Sequence, residues 1–164
     1  MSLRSTLAAM AVALVPAVAA AQIAPPTSGD VDPQQLVNIL QSMGKSPELK
    51  RDKDGDPEIT AKTESISFVI FFYNCRKEEV PVRCRSYQFW ASFHNLSSPP
   101  TLEKINQWNE TKRLAQASTD GDGRYRIKMN VNPRGADVDV NFRAYMDWWN
   151  LAVREYKQHI GFSN

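Results

Sequence analysis

The segment that decides the fold is Thr101–Val131, TLEKINQWNETKRLAQASTDGDGRYRIKMNV. Its first part places Leu102, Ile105 and Trp108 three positions apart, a spacing that predicts a helix with one buried stripe. Two prolines precede the segment and cannot continue a helix, while Thr101 is a suitable N-cap. The helix is therefore predicted to begin here.

The second part of the segment predicts a β-hairpin. Lys112 and Arg113 are expected in the last helical turn, where cations suit the negative end of the helix dipole. The sequence Asp-Gly-Asp-Gly at 120–123 is a turn signal between two strands. The second strand then alternates, with apolar side chains predicted to face the core at Tyr125, Ile127, Met129 and Val131. Its basic side chains are predicted on the opposite face, at Arg124, Arg126 and Lys128.

The rest of the chain predicts one α+β domain over residues 33–160. Asp32-Pro33 opens a first helix, and an exposed strand is expected at 48–51. The run ISFVIFFY at 66–73 is apolar at nearly every position, which predicts a central strand covered on both faces. A last helix is predicted over 139–159, with a broad aromatic stripe that includes Trp148. Because hairpins dominate and no crossover pattern occurs, we expect a single antiparallel sheet with N-terminal, middle and C-terminal helices.

Residues 1–21 have the pattern of a secretory signal peptide. Arg4 supplies the positive start, an apolar run follows, and small residues form the cleavage motif. Cleavage after residue 21 would leave 143 residues and change the formal net charge from +2 to +1. A near-neutral chain argues against a nucleic-acid partner. The apolar run is too short for stable membrane insertion, so we expect a periplasmic or secreted protein.

The mature chain is expected to start with a tether. Residues 22–32, QIAPPTSGDVD, are rich in proline, serine and glycine and have no periodic pattern. Such a segment buries too little apolar surface to order itself. We therefore predict a disordered tether over 22–32.

The two cysteines are predicted to form a disulfide. Cys75 ends one predicted strand and Cys84 opens the next. In an oxidising compartment two nearby cysteines usually pair, and opposed residues of antiparallel strands come close enough to do so. The alternative is a metal site formed with His94, but structural zinc needs four ligands and the sequence offers no further pair.

The sequence contains no arrangement typical of catalysis. The aspartates of 52–57 do not have the spacing of a calcium loop and predict a turn instead. Only two histidines occur, His94 and His159, and no nucleophile motif accompanies them. We therefore expect a protein that is not an enzyme and needs no cofactor or metal. The alternative is an envelope enzyme built on His94 and nearby aspartates.

Several motifs resemble the YbjN family, also called bacterial sensory transduction regulators. They are Gly55-Asp56-Pro57, Phe72-Tyr73-Asn74-Cys75, Cys84-Arg-Ser, and Ile105-Asn-x-Trp-Asn109-x-x-Lys-Arg113. The resemblance covers roughly residues 32–160. The family is similar in fold to type III secretion chaperones, α+β modules that hold partner chains and are often dimeric. The resemblance therefore implies a bacterial source, a non-catalytic module with a protein or peptide partner, and a homodimer as one possible state. The basic loop 76–83 departs from the family pattern.

One surface is the candidate for partner binding. It combines the basic strand face with the helix motif, and its residues are Arg124, Arg126, Lys128, Trp108, Asn109, Lys112 and Arg113. The alternative is that the strand face is only solvated and that Asn109 and Arg113 make structural hydrogen bonds within the motif. A purely structural role through self-association is the third hypothesis.

Overall fold

The computed structural model describes residues 29–135 and 137–163. The predicted signal peptide lies outside these residues. The described part has an N-terminal helix, four strands, a middle helix, two strands and a C-terminal helix. The elements are α1 (Pro33–Ser42), β1 (Glu48–Arg51), β2 (Pro57–Thr63), β3 (Ile66–Arg76), β4 (Arg83–Phe93), α2 (Leu102–Thr111), β5 (Gln116–Thr119), β6 (Tyr125–Val131) and α3 (Val138–Ile160). The predicted α+β class and element order are confirmed.

The six strands form one sheet in the order β1-β2-β3-β4-β6-β5. Every neighbouring pair is antiparallel, as predicted. The long strands β3 and β4 lie at the centre, and β1 and β5 form the edges. Since successive side chains of a strand point to opposite faces, the sheet has two surfaces formed by alternate residues of its strands.

The helices cover one of these surfaces. The core of this layer is aromatic, because rings of β3 and β4 pack against rings of α3. Trp149 lies with its ring centroid 5.4 Å from that of Phe89 and 6.0 Å from that of Phe68. Phe93 meets Tyr156 at 5.2 Å. All five side chains are almost fully buried, so this layer holds the helices on the sheet.

Side-chain caps mark where the helices begin. Asp32 accepts a hydrogen bond from the Gln34 N–H at 2.9 Å, and Asp137 accepts one from the Val140 N–H at 3.0 Å. Each carboxylate satisfies one N–H that lacks a partner within its own helix. The two caps fix the starts of α1 and α3. Among the described residues, no helix has the length and apolar content that crossing a bilayer requires.

Three predicted details of the helices are wrong. Helix α2 ends at Thr111, so Lys112 and Arg113 lie beyond its last turn. Leu102 was predicted in the buried stripe but is 69% exposed. Trp148 was predicted in the core and is 41% exposed, with its ring against that of Tyr145. The stripe of α3 is therefore narrower than the sequence pattern indicates.

The predicted disordered tether is wrong for its last residues. Val31 is fully buried and exchanges two backbone hydrogen bonds with Cys84, at 2.8 and 2.9 Å. Asp30 forms an ion pair with Arg76 at 2.7 Å. A buried valine and a short β-bridge therefore anchor residues 30–32 to the domain. Residues 22–28 of the predicted tether lie outside the described residues.

The predicted disulfide is confirmed. Cys75 and Cys84 are directly opposite each other in the β3–β4 pair and are covalently joined. The bridge uses both thiols, so they cannot form the alternative metal site with His94. Within residues 29–135 and 137–163, no group of three or more His, Cys, Asp or Glu residues could hold a metal ion.

The prediction that ISFVIFFY is covered on both faces is wrong. Its alternate residues Phe68, Ile70 and Phe72 are buried under the helices. Their neighbours Val69 and Phe71 are only half-buried, and Tyr73 is 43% exposed. Among the described residues, the three helices lie on the other surface of the sheet. One face of the central strands is therefore open.

Candidate binding surface

The open face of the sheet carries a group of apolar and aromatic side chains. We call this group the aromatic patch, and its members are Val69, Phe71, Tyr73 and Trp90. The strand register brings them together, because Val69 is the cross-strand partner of Trp90 and Phe71 is that of Gln88. The patch therefore spans the two central strands on the side away from the helices.

The rings of the patch are held by contacts with their neighbours. The Phe71 and Trp90 rings meet edge to face at 6.0 Å, and the Arg126 guanidinium lies 5.7 Å from the centre of the Trp90 ring. The Tyr73 hydroxyl contacts Gln88 at 3.4 Å. Partial burial raises the pKa of Tyr73 above its usual value, which is already well above physiological pH, and the neutral hydroxyl can donate a hydrogen bond. The patch is thus pre-formed and has polar groups at its margin.

The basic strand face predicted from the sequence lies beside this patch, but an acidic side chain neutralises part of it. Asp120 forms ion pairs with two of the three cations, with Arg124 at 2.7 Å and with Arg126. Lys128 is the cross-strand partner of Trp90 and has no carboxylate within ion-pair distance in the described part of the chain. The unmatched positive charge of this face is therefore concentrated at Lys128.

The charge of Asp120 is itself stabilised. Burial of this side chain opposes ionisation, but it is outweighed by other contacts. The backbone N–H of Asp122 donates to the Asp120 carboxylate at 3.0 Å, and the guanidinium groups of Arg124 and Arg126 lie beside it. These groups together hold the pKa of Asp120 below its usual range. Asp120 thus stays charged and keeps the two arginines in place.

The two central residues of the helix motif lie in the helix layer, on the opposite surface of the sheet. Trp108 is buried, its indole N–H donates to the Ala115 carbonyl at 2.8 Å, and its ring meets Tyr156 at 4.9 Å. The Asn109 amide donates to the Ala117 carbonyl at 3.0 Å and accepts from the Ala117 N–H at 2.7 Å. Asn109 therefore joins α2 to β5, and Trp108 joins α2 to the residue that precedes β5.

The last two residues of the motif follow α2. Lys112 lies over the Trp108 ring and pairs with Glu155 of α3 at 3.0 Å. Arg113 is exposed and makes no side-chain hydrogen bond or ion pair within the described ranges. The structure thus brings Arg126 and Lys128 together with the aromatic patch, and places the four motif residues elsewhere.

Comparison with known families identifies the chain. The model of the YbjN family, described as "Putative bacterial sensory transduction regulator", matches residues 32–162. The chain belongs to the YbjN family. No curated protein and no solved structure matches it. The likeness to type III secretion chaperones therefore stays a prediction from the resemblance.

In this YbjN protein, the family match runs from the N-cap of α1 to just beyond α3 and includes every described helix and strand. The aromatic patch and Lys128 consequently lie inside the family domain. The histidines are placed apart from the patch. His94 is exposed after the end of β4, and His159 on α3 lies 2.6 Å from the Lys104 carbonyl.

Reasoning from the sequence missed the aromatic patch in this YbjN domain. A run that is apolar at every position can belong to a strand covered on two faces or to a strand covered on one face. The run alone therefore does not show which of the two applies. The available signal was Trp90, which the alternation of β4 already placed on the face opposite Phe89. A partly exposed tryptophan beside the apolar run indicates that this face can meet a partner.

Proposed function

We propose that this YbjN protein is an exported, non-catalytic binding module that holds a protein or peptide partner on the open face of its sheet. The observation that carries the proposal is the aromatic patch, a contiguous group of partly exposed apolar and aromatic side chains at the centre of the sheet. Contiguous apolar groups on a protein surface are typical of interaction sites.

The composition of the surface fits a protein partner. Tryptophan, tyrosine and arginine are the residues that contribute most to protein–protein interfaces. Trp90, Tyr73 and Arg126 occur together here, with Gln88 and Asn130 at the margin joined by a side-chain hydrogen bond of 2.6 Å. Such a polar margin excludes water around an apolar centre. A partner segment with apolar side chains for the patch and a carboxylate for Lys128 would complement this surface.

Export is supported by the signal-like pattern of residues 1–21 together with the disulfide. Disulfides persist in oxidising compartments and are rare in the bacterial cytosol. The Cys75–Cys84 bridge joins the two central strands and is thus part of the domain itself. We place the protein in the periplasm on this ground.

The proposal of a non-catalytic role rests on the surroundings of the histidines. A general base needs a partner group that orients it. No His side chain is hydrogen-bonded or ion-paired to a carboxylate anywhere in 29–135 or 137–163. A carboxylate that orients the imidazole is common in histidine-based catalytic sites, and His94 does not have one in the described part of the chain. If an activity is found, His94→Ala leaving its turnover intact would exclude a role for this residue.

The test is a pull-down from envelope extract with matched variants. Trp90→Ala removes the centre of the patch, and Lys128→Glu reverses the unmatched charge. Trp148→Ala and Arg113→Glu are the controls, because they change an exposed tryptophan and an exposed arginine elsewhere. We expect the first two variants to weaken capture of a defined partner by tenfold or more, as loss of a central interface residue does. The controls should capture it like the wild type.

Two outcomes would contradict the proposal. One is capture that is unchanged by Trp90→Ala and Lys128→Glu. The other is equal loss in the two control variants, which would indicate a general surface effect. Reversal of Arg124 and Arg126 is a weaker test, because it would also break their contacts with Asp120 and disturb the hairpin.

A further inference from the structure

A second surface feature lies in the region of the charged loop that departs from the family pattern. Three arginines line one depression together with Gly29 and Asp30. We call it the arginine pocket, after Arg76, Arg85 and Arg134. It has a volume of about 400 Å³ and is open to solvent. None of the residues assigned to partner binding belongs to it.

The fold holds these arginines near one another. Arg76 ends β3, Arg85 lies in β4 next to Cys84, and the disulfide joins these two strands. Arg134 lies in the loop between β6 and α3, against Gly29. A Cβ atom at Gly29 would lie 2.5 Å from the Arg134 Cα atom, so a residue with a side chain does not fit there. The absence of a side chain at Gly29 therefore lets the loop pack against residue 29, and both Gly29 and Arg134 line the pocket.

The pocket contains more positive charge than its carboxylates can match. Arg76 forms ion pairs with two carboxylates, Asp30 at 2.7 Å and Glu79 at 3.0 Å. Arg85 and Arg134 have no carboxylate partner in the described part of the chain. Residues 1–28 contain no aspartate or glutamate that could supply one. Two guanidinium groups are thus uncompensated in one concave site, where like charges repel each other.

From this charge balance we infer that the arginine pocket binds a phosphate monoester group. A phosphate monoester carries a charge of about −1.5 to −2 at neutral pH and three strong acceptor oxygens. It therefore matches two unpaired guanidinium groups in charge. Each guanidinium can donate two parallel hydrogen bonds to such a group, which a lysine cannot do. The group can belong to a soluble ester or to a lipid headgroup.

The first test uses inorganic phosphate as the probe and the full mature protein. Its binding is followed by titration calorimetry for the wild type, Arg85→Gln and Arg134→Gln. We expect saturable binding by the wild type and a Kd raised about tenfold or more in each variant, as the loss of a charge-assisted hydrogen bond predicts. Arg113→Gln is the control, because Arg113 is exposed and forms no ion pair in the described part of the chain, and it should leave the Kd unchanged. Trp90→Ala should also leave it unchanged, since the open face is separate.

The second test distinguishes the two sources of the phosphate. Vesicles containing phosphatidic acid present a phosphate monoester, whereas phosphatidylcholine vesicles do not. Co-sedimentation with the first vesicles alone, lost in Arg85→Gln and Arg134→Gln, would support a lipid headgroup. Binding of soluble phosphate without co-sedimentation would support a soluble ester. Arg85→Lys keeps the charge but loses the planar fork, so its Kd should lie between those of the wild type and Arg85→Gln.

Either of two results would overturn the inference. The first is the absence of saturable phosphate binding by the folded wild-type protein. The second is phosphate binding that both pocket variants retain, or that Arg113→Gln weakens as much as they do. Far-ultraviolet circular dichroism of each variant confirms that a loss of binding is not a loss of fold.

Discussion

The two faces of the central strands differ more in what covers them than in what they contain. On the helix side, β3 presents Phe68, Ile70 and Phe72, each with at most 2% of its surface exposed. On the other side the same strand presents Val69, Phe71 and Tyr73, and Tyr73 is 43% exposed. Similar side chains thus have two different physical environments. The covered face contributes stability, whereas the open face offers apolar surface that a partner can bury.

The largest expected effect is the difference in stability lost when a tryptophan is replaced on the covered face and on the open face. Trp149→Ala removes a fully buried ring between Phe68 and Phe89 and should lower the free energy of unfolding by about 3–5 kcal/mol. Trp90→Ala on the open face should cost about 1–2 kcal/mol, because its side chain is already partly exposed to solvent. Urea unfolding of both variants measures the difference. Equal losses would mean that the open face is covered in solution.

The next effect concerns the bond that ties the two central strands together. Replacing both Cys75 and Cys84 by serine removes a cross-link between residues nine positions apart. On the chain-entropy model this lowers the free energy of unfolding by about 2–3 kcal/mol. The wild type treated with a reducing agent should show the same loss. A reduced protein as stable as the oxidised one would show that the sheet does not need this bridge.

The two edges of the sheet extend the comparison. At β5, Asn109 occupies both the N–H and the carbonyl of Ala117, whereas β1 is exposed and carries three charged residues in four positions. The bonded backbone groups at β5 and the charged side chains of β1 both discourage pairing of these edge strands with a strand of another molecule.

Removal of the Asn109 amide tests this protection. Asn109→Ala should cost about 1–2 kcal/mol, because it leaves the backbone groups of Ala117 without partners. It should also increase self-association, measured by sedimentation velocity across a range of concentrations. Lys50→Ala on β1 is the control and should change stability by less than about 0.5 kcal/mol. A fully stable, monomeric Asn109→Ala variant would contradict the edge role.

The smallest effect is a pH dependence at the margin of the open face. The pKa of Asp120 is lower in the folded state than its unfolded value of about 3.8. The charge of Asp120 therefore stabilises the folded protein above pH 3.8, and this stabilisation is lost as the pH falls through the lower pKa of the folded state. The wild type should therefore be more stable than Asp120→Asn at neutral pH. The difference should shrink below pH 3.8. A difference that is constant over this range would show that the charge of Asp120 is not involved.

Much of the fold could be predicted because its signals are local. The alternation of β6 placed Arg126 and Lys128 on one face, and the proline and cap at α1 marked its start. The order of elements and the disulfide followed from similar signals. Each depends only on neighbours in the sequence.

The features of the fold and of the binding surface that were not predicted depend on tertiary contacts. The coverage of ISFVIFFY is decided by where the helices pack, and the burial of Val31 is decided by its bridge to Cys84. The partial neutralisation of Arg126 by Asp120 depends on how the hairpin closes. None of these contacts produces a periodic pattern in the sequence. The aromatic patch and the arginine pocket were therefore found only from the structure.

The most direct test of the open-face proposal is site-specific photo-crosslinking in living cells. A photoreactive phenylalanine analogue is placed at position 90 on the open face or at position 148 on the exposed side of α3. Both positions hold a partly exposed tryptophan, so each tolerates an aromatic replacement. We predict a defined cross-linked protein from position 90 and none from position 148. A cross-link from position 148 alone, or from neither position, would contradict the proposal.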